Sequence, residues 1–140
     1  SGVLDKLLLN RHSGTLGSTG SGTISFTVWS NGNVENTNNS YGQISDETLK
    51  QDIVDASSQW NDIKNIKVRK FRFKDNPTGD LQIGVVAQEL ETVSAGLVSM
   101  NEGVKTVKYS VLYMKAVKCL QEAIAKIEAL ETEVAALKAS

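Results

Sequence analysis

From Ser110 to Ala139 the apolar residues return with a helical rhythm: Tyr113, Val117, Leu120, Ile124, Ile127, Leu130, Val134 and Leu137. Their steps are 4, 3, 4, 3, 3, 4 and 3, a heptad seam with one three-residue irregularity between Ile127 and Leu130. At the helical rise, the stretch from Ser110 to Leu137 spans about 42 Å. A chain of 140 residues cannot bury so long a stripe on one small domain. The seam is therefore expected to be covered by other copies of the same chain. The alternative is a helix folded back on its own domain. Isoleucine at both positions of one layer, Ile124 and Ile127, favours three strands over two, hence a homotrimer.

The rest of the chain has room for one domain with an appendage. With 40% hydrophobic residues it can form a core, though a modest one for a lone monomer. A net charge of −1 gives no electrostatic case for nucleic acid. The lone Cys119 cannot form a disulfide within the chain. No apolar run is long enough for a membrane span, and Val3 to Leu9 is too short and too charged for a secretory signal. No nucleic-acid or membrane partner is expected.

Composition changes abruptly at Ser45. Upstream, residues 1–12 read as a short helix or strand, and the glycines and serines of 13–22 read as a flexible loop. Ile24, Phe26 and Val28 then alternate with polar residues at the period of a half-buried strand. Asn31-Gly32 predicts a tight turn, with Val34 starting a return strand. Downstream, Ser45 or Asp46 is expected to cap a helix that buries Leu49, Ile53, Val54 and Ala56 and ends near Trp60. Lys70 to Lys74 alternates as a strand, with Phe71 and Phe73 on one face. A turn over Asp75 to Asp80 leads to a partner strand at Leu81 to Val86, then a short helix at Ala87 to Leu90. Another strand is expected at Val104 to Tyr109, before the long helix.

Ser45 and Lys50, five residues apart, carry the best candidate chemistry. Serine needs a base to become a nucleophile, and a lysine kept neutral by burial can serve. On one continuous helix the two side chains would lie about 140° apart. They can meet only if Ser45 stands outside the helix and the backbone turns back. The plainer reading is a capping serine and a solvated lysine. Asp46 and Glu47 read as helix-start charges, and His12, the sole histidine, has no motif around it. Lys64, Lys67, Arg69, Lys70, Arg72 and Lys74 read as a solvated strand face. No Cys/His spacing suits a metal and no glycine-rich loop precedes a helix, so no metal or cofactor is expected.

Taken together, three ordered motifs resemble a known family. Ser45-Asp46-x-x-Leu49-Lys50-x-x-Ile53 is similar to the opening motif of the intramolecular chaperone domains that end phage tailspikes and tail fibres, the S74-type self-cleaving peptidases. Gly84-Val85-Val86-Ala87-Gln88-Glu89-Leu90-Glu91 resembles their central motif. Val107-x-Tyr109-x-x-Leu112, with Ala116 and Leu120-Gln121-Glu122, resembles the start of their long helices. The resemblance implies an α+β homotrimer. Residues 1–44 would be the end of a β-rich fibre shaft, and 45–140 a compact α/β chaperone domain with a coiled-coil helix over 110–139. It implies Ser45 as nucleophile and Lys50 as general base, with cleavage at Ile44–Ser45 and Ser45–Asp46 as the second candidate. It also implies folding in a bacterial host's cytoplasm and a chaperone part absent from the mature virion. A non-cleaving trimeric fibre tip with an inert dyad is the competing expectation.

Overall fold

The structure, a computed structural model, describes residues 6–12 and 22–140. The loop expected at 13–22 lies, apart from Gly22, outside the described residues. Contacts divide the chain into two units, one ending at Ile53 and the other starting at Val54. The protein is α+β, with small antiparallel sheets and a long C-terminal helix.

The first unit holds a three-stranded antiparallel sheet of β1 (Lys6–His12), β2 (Thr23–Trp29) and β3 (Val34–Asn36), with β2 central. The β2–β3 hairpin pairs Val28 with Val34. Its turn differs from the expected one. Only Gly32 is left-handed, at φ +87°, and the Trp29 N–H donates to Asn33 O at 2.9 Å. The loop is thus Ser30-Asn31-Gly32, with the Asn31 side chain accepting from the Asn33 N–H at 3.0 Å. On β2 the buried side chain is Thr27, in the opposite phase to Ile24, Phe26 and Val28. Ile24 is exposed and the other two are half-buried, so the apolar face is not the better-covered one.

The second unit begins with α1 (Trp60–Asn65). It continues through the hairpin of β4 (Arg69–Phe71) with β5 (Gln82–Gly84). Next come α2 (Ala87–Val93) and the hairpin of β6 (Val98–Asn101) with β7 (Val104–Val107). It ends in α3 (Tyr109–Ala139). The expected strand over Lys70 to Lys74 stops at Phe71 because Arg72 turns away, its Nε donating to Gly79 O at 2.6 Å. Phe71 and Phe73 still meet edge to face, with ring centroids 5.6 Å apart. Leu90 and Leu97 are the only hydrophobic residues fully buried among the described ones.

The 31 residues of α3 extend about 46 Å. Leu112, Lys115, Cys119 and Glu122, spaced 3, 4 and 3, form its half-covered stripe. Lys115 Nζ donates to Gln59 Oε1 and to Asp62 Oδ2, the latter at 2.8 Å, while the Gln59 N–H donates to Glu122 Oε1 at 3.2 Å. Lys126 Nζ sits 3.7 Å from the Trp60 ring centre. At about 100° per residue this stripe lies about 150° around the helix from the seam residues beside it, Tyr113 to Ile124. The helix does lean on its own domain, but through a different face. The seam stays open, with Val117 exposed by 45%, Leu120 by 61% and Leu137 by 75%.

Candidate active site at Ser45 and Lys50

The helix expected from Ser45 to Trp60 does not form. One 3-10 turn, Glu47–Leu49, replaces its start, and helix resumes only at Trp60. Leu49, Ile53 and Val54, expected on a buried face, are exposed. Local chemistry explains the failure. Asp46 Oδ1 accepts from the Thr48 N–H at 2.8 Å and from the Thr48 hydroxyl at 2.6 Å, which closes a single turn. Lys50 is then extended at φ −118° and ψ 154°, and Asp52 is left-handed at φ +54°, so no helical backbone can propagate. Ser58 Oγ accepts from the Trp60 N–H at 3.4 Å, Asp52, Asp55 and Ser57 are weak helix formers of the same kind, and Ile53 and Val54 are β-branched.

The same interruption brings the two candidate residues together. Ser45 precedes the turn, Lys50 follows it, and Lys50 Nζ donates to Ser45 Oγ at 2.6 Å. The 140° separation of a regular helix is cancelled by leaving the helix at both ends of one turn. Asp46 caps the turn from extended backbone, at φ −64° and ψ 135°. Two hydrogen bonds from Thr48, the hydroxyl first and then the backbone N–H, hold the Asp46 carboxyl below its ordinary value of 3.8. Ser45 and Lys50 are both exposed in the single chain, as is Ile44 on the upstream side. A hydroxyl and an amine in hydrogen-bond contact can exchange a proton, which is the first requirement for an activated serine.

Residues 45–99 match the family model Peptidase S74, the chaperone of endosialidase. The likeness covers 55 of the 140 residues. The match begins at Ser45 itself and runs through α1, the β4–β5 hairpin and α2. The matched segment therefore contains Ser45, Lys50 and the turn between them. No curated protein matches the chain.

Two features of the region escaped the sequence reading. Thr48 is a partner of Asp46, legible as the two-residue reach of an aspartate onto its own backbone. Strand β6 and its turn were also missed. Glu102 and Gly103, at φ +47° and +80°, make a two-residue hairpin whose signal is a glycine between apolar alternations. Among the described residues no group of three or more His, Cys, Asp or Glu side chains could hold a metal ion.

Proposed function

We propose that this chain trimerises through α3, holds three copies of an upstream β-structured phage fibre or spike in register, and then cuts itself free at Ile44–Ser45. The family supports an intramolecular chaperone role. The observation that carries the cutting step is the 2.6 Å contact from Lys50 Nζ to Ser45 Oγ at the first residue of the matched segment.

In the reaction, Lys50 takes the Ser45 hydroxyl proton and Oγ attacks the Ile44 carbonyl carbon. The C–O bond forms, the Ile44–Ser45 C–N bond breaks, and the proton passes to the leaving amine. Water then hydrolyses the ester, leaving an Ile44 carboxylate and a free Ser45 hydroxyl. The amine must be uncharged to act, and burial disfavours the charged form of lysine. Lys50 is exposed in one chain, so assembly supplies the cover and makes the cut conditional on trimerisation.

The half-exposed apolar face of β2 and the open α3 seam both support a surface that other copies complete. Tethering three chains raises the effective concentration for slow, non-local β pairing. Removing the tether after folding leaves the fibre kinetically trapped. The chaperone part is then lost from the mature virion.

Mass spectrometry under denaturing conditions tests the reading with wild type, Ser45→Ala and Lys50→Ala. Wild type should give fragments of 44 and 96 residues, and both variants should stay at 140. An intact wild type in a stable trimer would favour a permanent fibre tip, and cleavage in both variants would reject the dyad.

A further inference from the structure

Hydrogen bonds hold the turn that unites Ser45 with Lys50, yet no packing does. The 3-10 turn Glu47–Leu49 contains no buried residue, and Leu49 is 73% exposed. Its backbone bonds are few: Leu49 N–H to Asp46 O at 3.2 Å and Lys50 N–H to Glu47 O at 3.0 Å. An isolated turn of this length is unstable in water, because nucleation fixes many dihedrals for little hydrogen bonding. The shortest contacts within it are the two that Asp46 Oδ1 accepts from Thr48, at 2.8 Å and 2.6 Å.

We infer that Asp46 and Thr48 are positioning residues for self-cleavage: their side-chain strap sets the turn that places Lys50 Nζ against Ser45 Oγ. This rests on the dyad reading above. Neither residue need touch the reacting atoms. Lys50 carries its amine on a flexible four-carbon stem, so its reach to Ser45 depends on where the backbone launches it. With the strap in place, Lys50 leaves the turn extended and its amine returns to Ser45. Without it, the Lys50 backbone samples many states and the paired geometry becomes a minor population. The carboxylate form of Asp46 is the better acceptor, and the Thr48 bonds favour that form. Helix-start charge alone would ask only for an acid at position 46; the strap also asks for a hydroxyl at position 48.

Paired variants separate the strap from the dyad. Asp46→Ala and Thr48→Val should slow cleavage about tenfold or more, by analogy with other lost positioning contacts. Asp46→Asn and Thr48→Ser keep an oxygen acceptor and a hydroxyl, and should recover most of the rate. Sedimentation should show the same assembly in all four, since the strap lies outside the α3 seam proposed to drive association. Rates in Asp46→Ala and Thr48→Val equal to wild type, while Ser45→Ala and Lys50→Ala remain intact, would overturn the strap and spare the dyad. Asp46→Asn as slow as Asp46→Ala would also overturn it. If wild type itself does not cut, the dyad reading fails, and the strap is judged by NMR. Cross-relaxation between the Lys50 Hε and Ser45 Hβ protons should be present in wild type and lost in Asp46→Ala; its persistence there would refute the inference.

Discussion

Leu120 is the sharpest place to test the proposed trimer. It sits in the middle of the α3 seam with 61% of its surface exposed. Complete burial of a leucine side chain stabilises by about 1.5–3 kcal/mol, so covering what remains is worth about 1–2 kcal/mol per chain and about 3–5 kcal/mol per trimer. Since about 1.4 kcal/mol is tenfold, Leu120→Ala should weaken trimer formation by about 100- to 4,000-fold. Leu120→Asp adds three carboxylates to one apolar layer and should leave monomers at micromolar concentration. Ala129→Asp, exposed and on the opposite side of the helix, is the control and should assemble normally. Sedimentation equilibrium over a range of loading concentrations gives the constants, and denaturing mass spectrometry of the same samples gives the cleaved fraction. A monomeric wild type, or a Leu120→Asp variant that associates as tightly as wild type, would refute the seam. Equal cleavage rates in monomers and trimers would refute the coupling of assembly to cutting.

Lys115→Met should lower stability by about 1 kcal/mol, read from the urea midpoint, because it strips partners from Gln59 and from the partly covered Asp62. The same contact predicts a pH dependence. Its hydrogen bond with Lys115 holds the Asp62 carboxyl below its ordinary 3.8, so the stabilisation is full above that value and is lost as pH falls through the lower folded-state value. Wild type and Asp62→Asn should therefore differ in stability at neutral pH and converge in acid; a constant gap down to pH 2 would contradict the assignment. A Cβ on Gly84 would stand 3.0 Å from Tyr109 Oη and 3.3 Å from Phe71 Cε1. Gly84→Ala should cost about 1 kcal/mol by crowding, and less in a Tyr109→Phe background, measured as a double-mutant cycle in thermal unfolding. Lys126→Ala should cost about 0.5–1 kcal/mol through the lost contact with the Trp60 ring, with a change in tryptophan emission.

Long-range periodicity was the most readable signal. The last helix was expected from Ser110 and is found from Tyr109, because a rhythm sustained over eight apolar positions leaves no other regular structure. The two hairpin strands around Asp75 to Asp80 were placed, though both are shorter than their alternation suggested. The stretch from Ser45 to Trp60 was misread for a definite reason. Leu49 and Ile53 stand four apart, which is helical spacing, but three aspartates and three serines offer the backbone other partners, Asp46 first among them. Spacing records which residues could share a face; it carries no record of whether a side chain has captured the backbone first. The pairing of Ser45 with Lys50 was legible only as a condition, that the chain leave the helix between them, and the Asp46–Thr48 bonds are how it does so.

That early exit from the helix also bears on why such a dyad would wait. In the second unit only Leu90 and Leu97 are fully buried hydrophobics among the described residues, while the seam of α3 is open throughout. A lone protomer therefore has little core to hold it, and Ser45 and Lys50 stand in water. In the proposed trimer, other copies would supply what each lacks: burial for the α3 seam and cover for the dyad. If the dyad were already enclosed by its own chain, cutting would begin as soon as the chain emerged, before three shafts had been aligned. On the proposed mechanism, geometry prepared locally by a turn, with cover supplied from outside, would let the hydroxyl and amine meet early and react late. The order of events then follows from which contacts are made within a chain and which are made between chains.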